Sequence, residues 1–407
     1  MKKFKIFDLS GVLVLVTMMQ FAVGGAVLPF IAFHLIDEGF SFRHIGEIFF
    51  FGSASALLFP FIWGYLSDRF IPLNQLFIIL NLVAGILLII LERSSGLLMH
   101  QIVFAGYYAF YHPTIILINS LCFHHLKNPG QEFGKIRGLG SLGWILPSIP
   151  LFWIYSTMDS VPTGNCLYLA AGISITNALL CFFLPHTKIE KTKLSVVSEK
   201  EAEYKNCLFK LLRDKNFIFL MISLFFASAS FAVLAFFSTP YLEELGISRA
   251  MAGPIQSIGV IAEVILMPLL PLFFSKFGYV RGLVFGLLCL FARHVTSYFF
   301  ESGILFSWLY VLVGLMVIYY YTVASMALDR LAHSLVRSSA QTFMVMLGSG
   351  LGPMCANLAA GIIVDNSETN SLRPIFGFGS VLAFLSLLSL MPIYKSLRQF
   401  LDNLPAR

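Results

Sequence analysis

The chain has 407 residues, 58% of them hydrophobic and only 12% charged, with a formal charge of +6 and a mean hydropathy of +0.83. A soluble domain carries ~25% charged residues, so a water-soluble fold of this length is excluded: it would expose far too much apolar surface. The basic excess invites a nucleic-acid partner, but the basic residues sit at loop positions that argue against one.

Taken in chain order, apolar runs occupy residues 11–34, 48–66, 72–91, 97–121, 138–156 and 165–184. They resume at 217–240, 252–274, 280–299, 303–328, 340–364 and 374–394. Each is near the ~20 residues of helix that cross a hydrocarbon core. Each is also apolar on every face, unlike a barrel strand, whose polarity alternates. Without water to satisfy the backbone, only helices or closed barrels can span a membrane. The sequence therefore predicts an all-α membrane protein of twelve transmembrane helices. The first run follows Met1-Lys-Lys-Phe-Lys, in the manner of a secretory signal. It continues to about His34 without a small-x-small cleavage site, and is read as an uncleaved first span.

The only long charged stretch lies near the midpoint. It divides the chain into an N-terminal half, 1–185, a central loop, 186–215, and a C-terminal half, 216–407. With the N-terminus in the cytoplasm, the loops on that side hold 22 of the 27 Lys and Arg, including eight in the central segment. The opposite side holds Arg43, Arg93, Arg249 and Arg373, and Arg293 falls within a span. Basic loops stay cytoplasmic during insertion, so both termini are expected inside. The charge thus reports topology, and no nucleic-acid partner is expected. The six cysteines, Cys122, Cys166, Cys181, Cys207, Cys289 and Cys355, are scattered without a CxxC. They read as small hydrophobes, with no metal, disulfide or cofactor implied.

Two loops repeat. Gly64-Tyr-Leu-Ser-Asp68-Arg69-Phe70 follows the second span, and Leu272-Phe-Phe-Ser-Lys276-Phe-Gly278 follows the eighth. Arg137, opening span five, is matched by Arg337 near the start of span eleven. Two six-helix halves related by an axis along the membrane normal are the plan of one large transporter class, with the solute held between them.

Gly64-Tyr-Leu-Ser-Asp68-Arg69 resembles the loop motif of the major facilitator superfamily, clipped of its second Gly and its basic pair. Phe133-Gly-Lys-Ile-Arg137-Gly-Leu-Gly140-Ser141-Leu-Gly143-Trp144, Ser257-Ile-Gly-Val-Ile-Ala-Glu263-Val and Val336-Arg337-Ser-Ser-Ala340-Gln341 narrow the likeness, with Gly361-Ile-Ile-Val-Asp365. They resemble the branch that holds the nucleoside:proton symporters and the phenylpropionate-type and lactose-type permeases. The resemblance runs over nearly the whole chain. It implies the major facilitator fold, with two pseudo-symmetric halves, and transport of a small organic solute with protons.

Charge at membrane depth is the best pointer to function. Glu263 lies midway along span eight, and Gln256, Gly259 and Glu263 fall on one helix face. Burial disfavours the charged form of a carboxylate, so a group there can alternate between charged and neutral, as proton coupling requires. The plainer reading is a permanently ionised structural Glu263. Arg293 is its expected partner: at ~1.5 Å per residue the two depths differ by about one turn. A static salt bridge fits that spacing equally well, and the adjacent His294 reads as a packed histidine. Arg137, Ser141 and Trp144 share a face of span five. The resemblance implies that Arg137 and Ser141 contact solute. Arg137 also suits a boundary anchor, and Trp144 either a stacking platform or core. Tyr319 and Tyr320 on span ten are further expected solute contacts, while Asp68 and Arg69 suit a gate at a helix end.

The chain departs from the branch in places. Span seven reads Ala227-Ser-Ala-Ser-Phe-Ala-Val-Leu without an amide, span ten lacks a carboxylate near Ile318–Thr322, and Val260 stands where the branch has Gln. These changes leave room for an aromatic acid or a sugar as the alternative solute. No HExxH, GxGD or phosphate-binding loop occurs, so an enzyme or primary pump is not expected, and a non-transporting receptor would leave Glu263 without purpose. The sequence reading is a secondary transporter of the bacterial inner membrane. It acts as a monomer by alternating access, and its partners are a small-molecule solute, most simply a nucleoside, protons and the lipid bilayer. A cysteine at position 198, with Cys207 removed, is expected to react with a thiol reagent only from the cytoplasmic side; labelling of intact cells from outside would overturn the orientation.

Overall fold

A computed structural model describes residues 9–126, 136–157, 163–185, 187, 197–368 and 371–402. The chain crosses the bundle in helices Leu9–Asp37, Phe42–Ser67, Leu73–Glu92, Leu97–His125 and Ile136–Thr157, here spans one to five, followed by the shorter apolar helix Asn165–Cys181, here span six. An amphipathic helix, Val197–Arg213, follows in the central segment. Spans seven to twelve are Lys215–Glu244, Arg249–Phe277, Tyr279–Phe299, Gly303–Leu331, Ser334–Asp365 and Arg373–Leu401. All twelve predicted runs are helices, and the described residues contain no strand. This all-helical, twelve-span, two-halved plan is the major facilitator fold.

Local chemistry sets the breaks. Pro29 lacks an N–H and cannot continue the ladder, so span one is two helices, Leu9–Val27 and Ile31–Asp37. The Asp214 side chain accepts from Phe217 N at 3.0 Å and starts span seven. Gly278, at φ 82°, makes the turn between spans eight and nine, in a region costly for any other residue. Spans ten and eleven each carry a π-helical stretch, at Val317–Tyr321 and Met346–Leu351.

Within the N-terminal half, span two packs on span four, span three on spans four and six, and span one on span six. In the C-terminal half, span seven packs on eleven and twelve, nine on twelve, and eight on ten. Buried polar groups tie helices inside each half, as they do in membrane bundles. Gln20 Nε2 donates to Thr114 Oγ1 at 2.5 Å and Asn177 Nδ2 donates to Gln20 Oε1 at 3.1 Å. Ser223 Oγ lies 2.8 Å from the Tyr320 hydroxyl and 2.9 Å from Ser386 Oγ. The outer faces carry Leu58, Leu98, Phe183 and Ile304, each more than half exposed, which suits a lipid surround rather than water.

The halves meet along spans two and eleven, five and eight, and one and seven. At one end a polar clamp joins them: Arg249 Nη1 lies 2.7 Å from Asp37 Oδ1, Arg249 Nε lies 2.6 Å from Glu243 Oε1, and Thr163 Oγ1 donates to Asp37 Oδ2 at 2.5 Å. Spans eight and ten approach closely through two glycines, since a Cβ on Gly314 would come 2.3 Å from the Gly259 carbonyl oxygen. Gly314→Val is therefore expected to cost ~1–3 kcal/mol through overpacking, read as a lower melting temperature in detergent; an unchanged temperature would show that the two spans can part freely.

Candidate functional site

A cavity of about 360 Å³ lies between the halves. Spans one and five supply Phe21, Leu28, Arg137, Ser141 and Trp144, and spans seven, eight and ten supply Phe231, Gln256, Glu263 and Tyr310 with smaller apolar residues. The wall is mostly aromatic and aliphatic, with a few convergent polar groups, the usual make-up of a small-molecule site.

Span five brings Arg137 and Ser141 to the same wall because they are four residues apart, and Ser141 Oγ donates back to the Arg137 carbonyl at 3.3 Å. The Arg137 guanidinium lies over the Phe21 ring at 4.2 Å, which offsets part of its desolvation. Its Nη1 is buried without a hydrogen-bond partner. Across the cavity Glu263 stands beside the Ser141 hydroxyl and within electrostatic reach of Arg137. No ion pair joins Arg137 to Glu263 among the described residues. One acidic and one basic side chain, from opposite halves, thus line the same cavity.

The same site supplies Gln256 and Tyr310. The Tyr310 hydroxyl lies 2.5 Å from Ser238 Oγ, and Gln256 stands beside that hydroxyl. Tyr310 went unnoticed in the sequence. Its stripe, Tyr310, Val313, Gly314 and Val317, has helical spacing, but span ten is apolar all round and spacing alone does not say which stripe faces inward.

Residues 7–398 match the family described as Nucleoside H+ symporter. The chain belongs to the nucleoside H+ symporter family. It is 25% identical to YegT of Escherichia coli strain K12 over 368 residues, covering 86% of this chain and 85% of that one. It is 20% identical to the nucleoside permease NupG of the same organism over 399 residues, covering 91% and 93%. The crystal structure of NupG superposes with a TM-score of 0.78 at 19% identity, covering 95% of this chain and 100% of that one, a likeness of fold. Membership makes the protein a transmembrane symporter coupling nucleoside transport to protons, not an enzyme.

Three expectations need correcting. Arg293 does not pair with Glu263. It is fully buried in the C-terminal half, with its guanidinium 3.8 Å from the Phe306 ring centre and 4.9 Å from that of Tyr310. Its Nη1 donates to Ser297 Oγ at 2.8 Å. The side chain lies against the Tyr310 ring and is not among the described residues that line the cavity. Tyr319 does not reach the cavity: it packs against Phe273 at 4.5 Å and Phe285 at 5.1 Å. Tyr320 is fully buried behind span seven, on Ser223. The π-helical turn they occupy directs both away from the solute space. Arg69 stays on its own helix, with its guanidinium 4.8 Å over the Tyr65 ring, while the Asp68 side chain and residues 133–135 lie outside the described residues. Because no ion pair links Glu263 to Arg293, the double variant of Glu263→Gln and Arg293→Met is expected to change stability by the sum of the single effects, within ~0.5 kcal/mol; a larger coupling in thermal unfolding would restore the pair.

Proposed function

We propose that the protein imports a nucleoside with a proton across the bacterial inner membrane, as a single copy, with Glu263 as the proton carrier and Arg137, Ser141, Trp144 and Gln256 as solute contacts. The observation that carries this reading is the facing of Glu263 and Arg137 from opposite halves across one cavity. A carboxylate there can be held charged by Arg137 or neutral by a proton, and the choice depends on how far apart the halves stand. That is the link between proton and movement that symport needs. The free Arg137 Nη1 suits an acceptor oxygen of a sugar hydroxyl, and Trp144 and Phe231 suit the faces of a planar base. The description of NupG as a nucleoside permease supports the same solute.

In this reading the halves are residues 1–185 and 216–407, joined by the loop 186–215, and both termini are cytoplasmic. The Asp37–Arg249 clamp then closes the outer side, and Asp68 with Arg69 braces the inner side in the opposite state. Phe231, Leu234, Ala235, Val313 and Val317, which spans seven and ten give to the cavity wall, offer no amide or carboxylate to the solute.

Glu263→Gln keeps the shape of the side chain but cannot release a proton. Uphill, protonophore-sensitive accumulation of nucleoside in vesicles is expected to disappear, while exchange of internal for external nucleoside continues. A folded Glu263→Gln protein that still concentrates solute with the wild-type pH dependence would rule Glu263 out.

A further inference from the structure

A second hollow, about 470 Å³ in volume, lies between spans nine and twelve and shares no residue with the solute cavity. Span nine supplies Val284, and span twelve supplies Phe384, Leu388 and Met391, with Tyr394 and Lys395 at one end. Phe384, Leu388 and Met391 are 48%, 40% and 69% exposed, so the groove opens outward, onto lipid. Its depth is that of one leaflet. Phe384 and Lys395 are eleven residues apart, roughly 16 Å of helix, against ~30 Å for the whole hydrocarbon core. The Lys395 end lies at the membrane boundary, because the apolar run of span twelve stops at residue 394.

Basic side chains flank that end. Span nine packs on the helix Tyr394–Asp402 that closes span twelve. It carries Arg281 one turn before Val284, on the same strip of the helix, and Arg398 lies one turn beyond Lys395. All three basic residues are exposed, and no carboxylate pairs with Lys395 or Arg281 among the described residues. We propose that this groove binds one anionic phospholipid, with an acyl chain along Phe384, Leu388 and Met391 and the headgroup phosphate at Lys395 and Arg281. An apolar groove alone would take any lipid tail. Two cations without a carboxylate partner at headgroup depth add the preference for net negative charge, and a tyrosine such as Tyr394 belongs at the same level.

The test is native mass spectrometry of the full-length protein in detergent, with phosphatidylglycerol and phosphatidylethanolamine of identical acyl chains in competition. The wild-type protein is expected to retain one phosphatidylglycerol, preferred about tenfold. Lys395→Gln and Arg281→Gln should each cut that preference about three- to fivefold and leave phosphatidylethanolamine retention unchanged. Val284→Phe, which fills the groove from span nine, should lose both lipids. Should Val284→Phe fold poorly, Met391→Trp on the exposed rim takes its place. Lys210→Gln makes the same charge change on the helix Val197–Arg213, away from the groove, and should keep the full preference. Equal retention of the two lipids by the wild type would overturn the site, as would a loss in Lys210→Gln as large as in Lys395→Gln. So would charge variants that act while the groove-filling variant does not, or a two-chain mass in place of bound lipid, which would give the face to a second copy. None of these readouts depends on the solute carried.

Discussion

A carboxylate cannot stay ionised among hydrocarbon groups unless positive charge or hydrogen bonds reach it, and the positive charge within electrostatic reach of Glu263 is Arg137, on the other half of the molecule. Arg137 and Ser141 belong to span five and Glu263 to span eight. In the proposed reading the charge state of the acid depends on how the halves stand, since the cavity lies between them. Burying the charge inside one half would leave it indifferent to movement.

In the proposed reading the two halves move as units. Each is tied internally by buried hydrogen bonds, Gln20 with Thr114 and Asn177 in one, Tyr320 with Ser223 and Ser386 in the other. Between them the polar contacts are fewer and sit toward one end, where the partly exposed Arg249 bridges Asp37 and Glu243. Exposed ion pairs of this kind contribute ~0–1 kcal/mol, which makes them easily broken and suits a contact that must open. The buried Arg293 is different. Its guanidinium lies against the Phe306 and Tyr310 rings and donates to Ser297, all in the C-terminal half, while Nε and Nη2 are buried without a hydrogen-bond partner.

Much of the fold was legible because the bilayer imposes a single rule on every span. Twelve apolar runs of bilayer length could be nothing but helices, and the structure has helices in all twelve places. Glu263 was legible for the same reason, because charge in an apolar run is costly and stands out, whereas Arg137 lies just before its run and was marked by the resemblance. The Arg293 pairing failed on rotation about the helix axis. Counting residues gives depth, but whether an arginine faces span eight or the back of Tyr310 depends on how spans nine and ten pack. Tyr319 and Tyr320 failed likewise. A run of tyrosines drew attention, yet the turn they occupy is π-helical, which shifts the face each residue presents, and the lone Tyr310 took the cavity position.

The sequence by itself determined the number of spans and their approximate limits. These follow from solvation, which acts on each residue separately and leaves its mark in composition. Only the tertiary structure decided which side of each helix faces the cavity, and that Glu263 lines it together with Arg137 rather than Arg293. Those outcomes depend on the relative rotation of packed helices. In a helix apolar on every face no periodicity marks the inward side, so that rotation is settled by packing alone.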